Sequence, residues 1–345
     1  MNSQIRLATI IGTTSWGTTL GILLANQGIE TKLIVRSKKE ETLLNSSKEN
    51  LARLAGHSFP INLTASADMK DSLKDADLIV IACPSHSYRA NIQKIDYSSI
   101  KQTAVFVSAT KGLEKETGKR MSQLFSEESN GKLDERFSVL SGPNLAREIA
   151  EGKPASTVIA STKIEVAELV QTTFNSSNFR VYTNADLVGV ELGGTLKNIV
   201  AIGAGLIDGI GLGNNAKSAF ISRAIAEMSR LGITAGAELI TFAGLACLGD
   251  VLTTCYSQLS RNRFVGEELG KGKQIDDILG SLGQVAEGVH TTHAALVLAK
   301  ELKVEMPITE QTALVLAGKT NAREAIENLM SRVPKPEDPF RIPKQ

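Results

Sequence analysis

The stretch that decides the fold is "ATIIGTTSWGTTLGILLANQG", residues 8–28. Small and β-branched apolar residues run up to Gly12, and a helical stripe of leucines begins within a turn of it. Between them, "GTTSWG" (residues 12–17) is the G-x-G-x-x-G pattern of a dinucleotide-binding turn, with Thr14 in place of the middle glycine. The sequence therefore predicts a strand, a tight turn and a helix, and the role of the turn needs further support.

The six residues are equally compatible with an ordinary strand-to-helix turn. Gly12 permits the sharp turn and Gly17 lets the helix pack closely, but Thr14 carries a side chain where backbone should approach a pyrophosphate. Its hydroxyl could donate to a phosphate oxygen, and the helix N-terminus supplies free N–H groups. Because the turn opens the first βαβ unit, we favour a cofactor site with altered affinity.

Composition limits the function classes. At 345 residues, with 42% hydrophobic and 22% charged residues and a net charge of +1, the chain predicts two globular domains without wholesale nucleic-acid binding. Three cysteines are too few for a disulfide framework, and the histidines are not spaced for a metal site. No signal-peptide pattern is visible and no apolar run looks long enough to span a membrane, so we expect a cytoplasmic protein without membrane insertion.

Strands and helices alternate in the first part of the chain. Strands without polar alternation are typical of a parallel sheet covered by helices, so we predict an N-terminal, Rossmann-like, doubly wound α/β domain at 1–187 that binds NAD(P). From Val188 the pattern is helical, which predicts an all-α substrate domain at 188–332 and an irregular tail at 333–345. The predicted strands are 7–11, 31–35, 77–82, 104–108, 137–140 and 156–160, and the predicted helices of the second domain begin with 188–205, 218–231 and 235–241.

The end of the second predicted strand bears on cofactor choice. An NAD-selective site usually has an acid there, but this strand is followed by "RSKK" (residues 36–39), with no acid before Glu40. Arg36 could stack on adenine and, with Ser37 or Lys38, meet a 2′-phosphate, although a basic run is often only a solvated turn. We expect NADP to be accepted alongside NAD.

Further landmarks follow in a fixed order along the chain. "SATKG" places Lys111 after a strand, "LSGPNLA" (140–146) is a Gly-Pro turn after another, and "ELGGTLKNIVAIGAG" (191–205) puts Lys197 on an otherwise small or apolar helix. "GLACLGDVLTTC" (244–255) presents Asp250, "SRNRFVGEELGKG" (260–272) presents Arg261, and "GQVAEGVHTT" (283–292) contains Glu287. Together they are far more specific than the glycine turn.

In this order and spacing, the segments resemble the bacterial NAD(P)-dependent glycerol-3-phosphate dehydrogenases of the soluble type, from about Ile10 to Leu329. The resemblance implies a 6-phosphogluconate-dehydrogenase-like arrangement of a Rossmann-like and an all-α domain, and a homodimer. It also implies reversible conversion of dihydroxyacetone phosphate to sn-glycerol 3-phosphate, which feeds glycerophospholipid synthesis.

The resemblance also implies roles for individual residues. Lys197 would be the proton donor and acceptor, with Lys111 and Asp250 beside it in catalysis. Asn144 stands where the family usually has Ser or Thr, a mild departure. The implied substrate positions are Lys111, Gly142, Asn144, Lys197, Asp250, Ser260, Arg261 and Asn262, and the cofactor positions are Gly12, Thr14, Ser15, Trp16, Gly17, Arg36, Lys111, Ala146, Arg261, Val285 and Glu287.

The chemistry of ketone reduction agrees with these roles. Negative charge develops on the carbonyl oxygen, so a buried lysine near a second cation could donate a proton and later recover it. Arg261 offers a planar bidentate donor for a phosphate. Alone, each residue also has a structural interpretation: Lys197 as a solvated helix residue, Asp250 as an N-cap, and Arg261 as part of a surface turn.

Two other functions remain open at this point. Another β-hydroxyacid-type dehydrogenase would also use a helix-borne lysine, although the S-R-N segment favours a small phosphorylated ketone. A non-catalytic NAD(P)H-sensing protein would explain Thr14 but not the retained Lys111, Lys197, Asp250 and Arg261.

Overall fold

The computed structural model describes residues 5–282, 286–334 and 336–337. Contacts divide the chain into two compact units. The first comprises the residues up to Glu114 and Lys119–Glu191, and the second comprises Lys115–Gly118 and the residues from Leu192 onward. The division falls inside one long helix, and the residues of the tail that are described contain no helix or strand.

The first unit is built on an eight-stranded sheet in the order β3-β2-β1-β4-β5-β6-β7-β8. All neighbouring pairs are parallel except β6 and β7, so the last two strands run opposite to the others. The predicted doubly wound α/β fold is confirmed. The strands are β1 Leu7–Ile11, β2 Glu30–Ile34, β3 Leu63–Ser66, β4 Leu78–Ile81, β5 Val105–Ser108, β6 Phe137–Ser141, β7 Ala155–Ala160 and β8 Phe179–Asn184.

Two strands, β3 and β8, were missed by the sequence reading. They form the two edges of the sheet, and their residues alternate between buried and less buried positions. The central β4 and β5 are buried at every residue because helices cover both faces. A continuous apolar run therefore marks the centre of such a sheet and not its edges.

Helices of the first unit cover the sheet and place its loops. Helix α1 starts within the glycine turn, at Ser15, and its Leu20 and Leu24 are fully buried against strand residues such as Ile10. Short 3-10 helices occur at Ser85–Ser87 and Asp134–Arg136. The α-helices are α1 Ser15–Asn26, α2 Lys38–Ser47, α3 Leu51–Leu54, α4 Met69–Lys74, α5 Tyr88–Ile92, α6 Met121–Ser129, α7 Ala146–Ala150 and α8 Ile164–Phe174.

The second unit is helical in the part that the structure describes. Its long helix, α9, starts within the first unit and enters the second at Leu192. The α-helices are α9 Leu187–Ile210, α10 Gly213–Thr234, α11 Asp250–Tyr256, α12 Arg261–Gly270, α13 Ile275–Leu282, α14 Glu287–Leu302, α15 Pro307–Leu316 and α16 Ala322–Met330.

The predicted helix at 235–241 is wrong. Gly236 has a φ of +96° directly after the end of α10, and its N–H donates to Ile233 O, which closes that helix. A 3-10 helix at Leu239–Ala243 and a π-helical turn at Leu245–Gly249 follow, and they lead into α11. As a result, Asp250 is the first residue of α11.

Two helices pack at backbone contact in the second unit. A Cβ added to Gly205 of α9 would lie 2.0 Å from Arg263 O, and one added to Gly266 of α12 would lie 1.9 Å from Ile202 O. Only residues without side chains allow this approach. The crossing fixes the start of α12 relative to α9, and therefore relative to Lys197.

The expectation that no apolar run is long enough to span a membrane is wrong by length and composition. Two helical stretches, Leu187–Ile210 and Leu239–Tyr256, meet that criterion among the described residues. The apolar 18-residue window of the first is buried, and the second is interrupted by the 3-10 and π turns. Such stretches are weak indications of membrane spanning.

Candidate active site

The glycine turn has the backbone geometry of a phosphate-binding turn. Gly12 adopts a φ of +125°, and a Cβ there would lie 2.7 Å from Ala82 O. A Cβ on Gly17 would lie 2.1 Å from Gly12 O, so the start of α1 packs directly on the turn. The first turn of α1 contains no acidic residue. Its positive dipole end and free N–H groups therefore fit the pyrophosphate of a dinucleotide.

Thr14 is the N-cap of α1. Its hydroxyl oxygen accepts from Gly17 N at 2.9 Å, and its proton is donated to Ala82 O at 2.8 Å. Its φ and ψ of −72° and 167° are ordinary extended values, which require no glycine. Thr14 thus ties the turn to the end of β4, and its proton is directed to Ala82 rather than to a phosphate.

Replacing Thr14 by Val should loosen this turn. The substitution keeps the side-chain shape but removes both hydrogen bonds, so we expect a loss of about 2 kcal/mol of folding stability and weaker dinucleotide binding. Thermal melting and titration followed by the fluorescence of Trp16, the only tryptophan, measure the two effects. Thr14→Ser retains the hydroxyl and serves as the control. Equal behaviour of the Val and Ser variants would contradict the capping role.

Three other predicted cofactor residues of the first unit lie in or next to this turn. Ser15 is the first residue of α1, and its hydroxyl donates to Arg53 O at 2.6 Å. Trp16 packs partly against the core, and its buried Nε1 has no hydrogen-bond partner among the described residues. The carbonyl oxygen of Ala146 accepts from Thr19 Oγ1 of α1 at 3.1 Å.

The end of β2 carries the next predicted cofactor residue. Arg36 is exposed, and its backbone N–H donates to Glu40 Oε2 at 3.0 Å. Ser37 caps α2, with its Oγ accepting from Glu40 N, and Lys38 Nζ is 2.9 Å from Glu41 Oε2. The side chains of Ser37 and Lys38 therefore interact within α2.

A second group lies at the ends of β5 and β6. Lys111 Nζ donates to Gly142 O at 2.9 Å, which brings two predicted substrate residues together. Asn144 Nδ2 donates to Ser156 O at 3.1 Å, and its Oδ1 accepts from Thr157 Oγ1 at 2.9 Å. In this structure the Asn144 amide joins the Gly-Pro turn to β7.

In the second unit, Lys197 belongs to a buried polar triad. Its Nζ donates to Thr254 Oγ1 at 2.7 Å and lies 3.1 Å from Asp250 Oδ1. Thr254 Oγ1 in turn donates to Asp250 Oδ1 at 3.1 Å. The Lys197 side chain is 12% exposed and that of Asp250 is 2% exposed. The ammonium is thus held in one orientation by two oxygens in a site with little water.

The start of α12 forms a third group. Ser260 is its N-cap, with Oγ accepting from Arg263 N at 3.2 Å, and Arg261 is its exposed first residue. Asn262 Nδ2 donates to Asn198 Oδ1 at 2.8 Å, and its Oδ1 accepts from Gly288 N at 2.9 Å. Because Asn198 follows Lys197 on α9, these bonds tie the start of α12 to the Lys197 triad.

Glu287, another predicted cofactor residue of this unit, opens α14 next to Gly288. Val285 lies outside the described residues. Sequence reasoning missed two members of these groups, Thr254 and Asn198. Thr254 follows Asp250 by one helical turn, and that spacing was a usable signal for a shared face.

The cysteines near the triad are unreactive. Burial raises the pKa of the Cys255 thiol to about 12, despite the nearby Lys197 and Lys217, and burial also raises the pKa of Cys247. Both thiols therefore stay protonated near neutral pH and do not act as nucleophiles. Among the described residues, no three His, Cys, Asp or Glu side chains are grouped to hold a metal ion.

Family profiles match most of the chain. The profile for the N-terminus of NAD-dependent glycerol-3-phosphate dehydrogenase matches residues 8–167, and the profile for its C-terminus matches residues 186–327.

Individual relatives agree with the profiles. A glycerol-3-phosphate dehydrogenase [NAD(P)+] of Dehalococcoides mccartyi is 45% identical over 323 residues, which are 93% of this chain and 90% of that protein. One of Chlorobium luteolum is 42% identical over 329 residues, covering 95% and 98%.

Solved structures give the same result. The crystal structure of glycerol-3-phosphate dehydrogenase from Coxiella burnetii superposes with a TM-score of 0.89 at 32% identity, covering 95% of this chain and 99% of that one. A D-mandelate dehydrogenase complex with NADH reaches a TM-score of only 0.57 at 12% identity, which shows a shared fold alone. The chain belongs to the NAD-dependent glycerol-3-phosphate dehydrogenase family and is an NAD(P)-dependent oxidoreductase.

Proposed function

We propose that this protein catalyses the reversible reduction of dihydroxyacetone phosphate to sn-glycerol 3-phosphate, with Lys197 as proton donor and acceptor. The observation that carries the proposal is the buried triad of Lys197, Asp250 and Thr254 in a chain of this family. The bound NAD(P)H supplies the hydride. The protein must supply the proton that the ketone oxygen takes up as negative charge develops on it.

Lys197 is suited to this proton transfer. Its Nζ donates to Thr254 Oγ1 and pairs with the Asp250 carboxylate at 3.1 Å, and an ammonium group with three N–H donors can also donate to a substrate oxygen. Asp250 stabilises the ammonium in the resting enzyme, and Thr254 fixes its direction through its own bond to Asp250. In the reverse direction the same amine recovers the proton from the alcohol.

The start of α12 is our proposed phosphate site. Helix N-termini bind phosphate through free N–H groups and a positive dipole end, and the first turn of α12 contains no acidic residue. Arg261 adds an exposed guanidinium at the same end, and Ser260 adds a hydroxyl. Asn262 holds the helix in place through Asn198.

In the first unit we propose that Lys111, with Gly142 and Asn144, contacts the substrate. Lys111 would stabilise the negative charge that develops on the carbonyl oxygen. The dinucleotide would be held by the glycine turn and by Arg36, Ala146, Lys111, Arg261, Val285 and Glu287, as the family resemblance implies.

Oxidation of NADH or NADPH, followed by ultraviolet absorbance with dihydroxyacetone phosphate as substrate, tests the proposed reaction. We expect turnover with this ketone and none with a ketone that lacks the phosphate. A protein that binds the dinucleotide but shows no turnover would instead be an NAD(P)H-sensing protein.

We also propose a homodimer that works in the cytoplasm at the entry to glycerophospholipid synthesis. The exposed large apolar side chains between residues 239 and 264 support dimerisation, because such residues are typical of protein interfaces. Sedimentation velocity should give the mass of two chains. The residues concerned are Leu239, Ile240, Leu252, Tyr256, Leu259 and Phe264.

A further inference from the structure

Glu40 places a carboxylate between the end of β2 and the glycine turn. Its Oε2 accepts from Arg36 N at 3.0 Å, and its Oε1 accepts from Thr13 Oγ1 at 3.2 Å. Thr13 follows the first glycine of the turn, and Arg36 follows β2 by two residues. The half-buried carboxylate is therefore held from both sides in a fixed position.

This position matters for the choice of dinucleotide. In Rossmann folds an acid at the end of the second strand accepts hydrogen bonds from the adenosine ribose, whereas an arginine nearby accommodates a 2′-phosphate. Glu40 stands later in the sequence than such an acid normally does, in the first turn of α2. Its side chain nevertheless reaches the end of β2, because it bonds the backbone of Arg36.

The basic residues around Glu40 offset its negative charge less than their number suggests. Lys38 pairs with Glu41, and the Ser37 hydroxyl accepts from Glu40 N as the cap of α2. The guanidinium of Arg36 is on an exposed side chain, whereas the Glu40 carboxylate is anchored. A fixed charge acts on a bound ligand more strongly than a charge on a solvated side chain.

We propose that Glu40 determines the cofactor preference of this enzyme, and that the protein binds NADH more tightly than NADPH. The carboxylate has lone pairs left to accept from ribose hydroxyls, and it repels a 2′-phosphate. This inference rests on the proposed function in one respect: it requires that the protein bind NADH or NADPH, whichever substrate it reduces.

The test compares Kd values for NADH and NADPH in the wild-type protein and in Glu40→Gln. Binding is followed by quenching of Trp16, so the measurement does not depend on turnover. Gln also fits the third position of a capped helix and retains an oxygen for Arg36 N. We expect the wild type to favour NADH, and the ratio of Kd for NADPH to Kd for NADH to fall by about tenfold or more in the variant.

Glu41→Gln is the matched control. It changes the same charge in the same turn of α2, but its carboxylate contacts Lys38 and Ala67 N and not the glycine turn. We expect its ratio to equal that of the wild type.

An equal shift in both variants, or no shift in Glu40→Gln, would overturn the proposal, and so would a wild type that prefers NADPH. Each of these results is compatible with normal turnover of dihydroxyacetone phosphate. Failure to bind either dinucleotide would overturn both this proposal and the proposed function.

Discussion

Lys197→Ala should lower kcat by about a thousandfold while dinucleotide binding stays close to that of the wild type. A positioned acid or base contributes roughly 10²–10⁴-fold to such a reaction, and the buried triad offers no other amine to replace it. The glycine turn belongs to the first unit, so Trp16 fluorescence should still report NADH binding. Steady-state kinetics with dihydroxyacetone phosphate measures the loss.

A second variant separates chemistry from folding. Removing Lys197 leaves the Asp250 carboxylate buried without its cation, which can cost about 3–5 kcal/mol. Lys197→Arg retains the positive charge but cannot release a proton, so it should fold and remain inactive. Lys300→Ala, at an exposed position on α14, is the control for loss of a lysine. Substantial turnover in Lys197→Arg would remove Lys197 from the proton-transfer role.

Gly266→Ala should destabilise the protein by about 3 kcal/mol or more. The added Cβ would lie 1.9 Å from Ile202 O, and because that atom is backbone, α9 and α12 must move apart. For a chain of this length the corresponding fall in Tm is about 4 °C or more, measured by calorimetry. Because α12 carries Arg261 at its start, the KM for the phosphorylated substrate should also rise in protein that remains folded.

Gly280→Ala provides the matched comparison. Gly280 is a helical glycine of α13 with no atom within 4 Å of an added Cβ, so alanine there should stabilise by up to about 1 kcal/mol. If Gly266→Ala melted at the same temperature as the wild type, the close helix crossing would have no energetic importance.

The Thr14 position shows how a departure from a motif can be resolved by structure. In sequence it looks like a defective glycine turn, because the middle residue carries a side chain. In the structure the side chain caps α1 and bonds Ala82, a residue at the end of β4 that is far away in the chain. The motif predicted the strand, the tight turn and the helix correctly. The role of Thr14 could be seen only from its contact with the end of the neighbouring strand β4.

The role proposed for Glu40 in the choice between NADH and NADPH also depends on tertiary contacts. In the sequence Glu40 is only the first acid after the basic run at residues 36–39. Its importance depends on a side-chain direction that is set by bonds to Thr13 and Arg36.

The sequence by itself determined the six inner strands of the sheet, the α/β and all-α parts, and the family. These follow from local patterns, such as the uniformly apolar run of β4 and the capped turn at the start of α1, which act within a few residues. Tertiary structure alone decided the edge strands, the contact of Lys197 with Thr254 and the position of α12 against α9. Those features depend on contacts between residues that are distant in the chain, and their geometry is set by how closely helices such as α9 and α12 can pack.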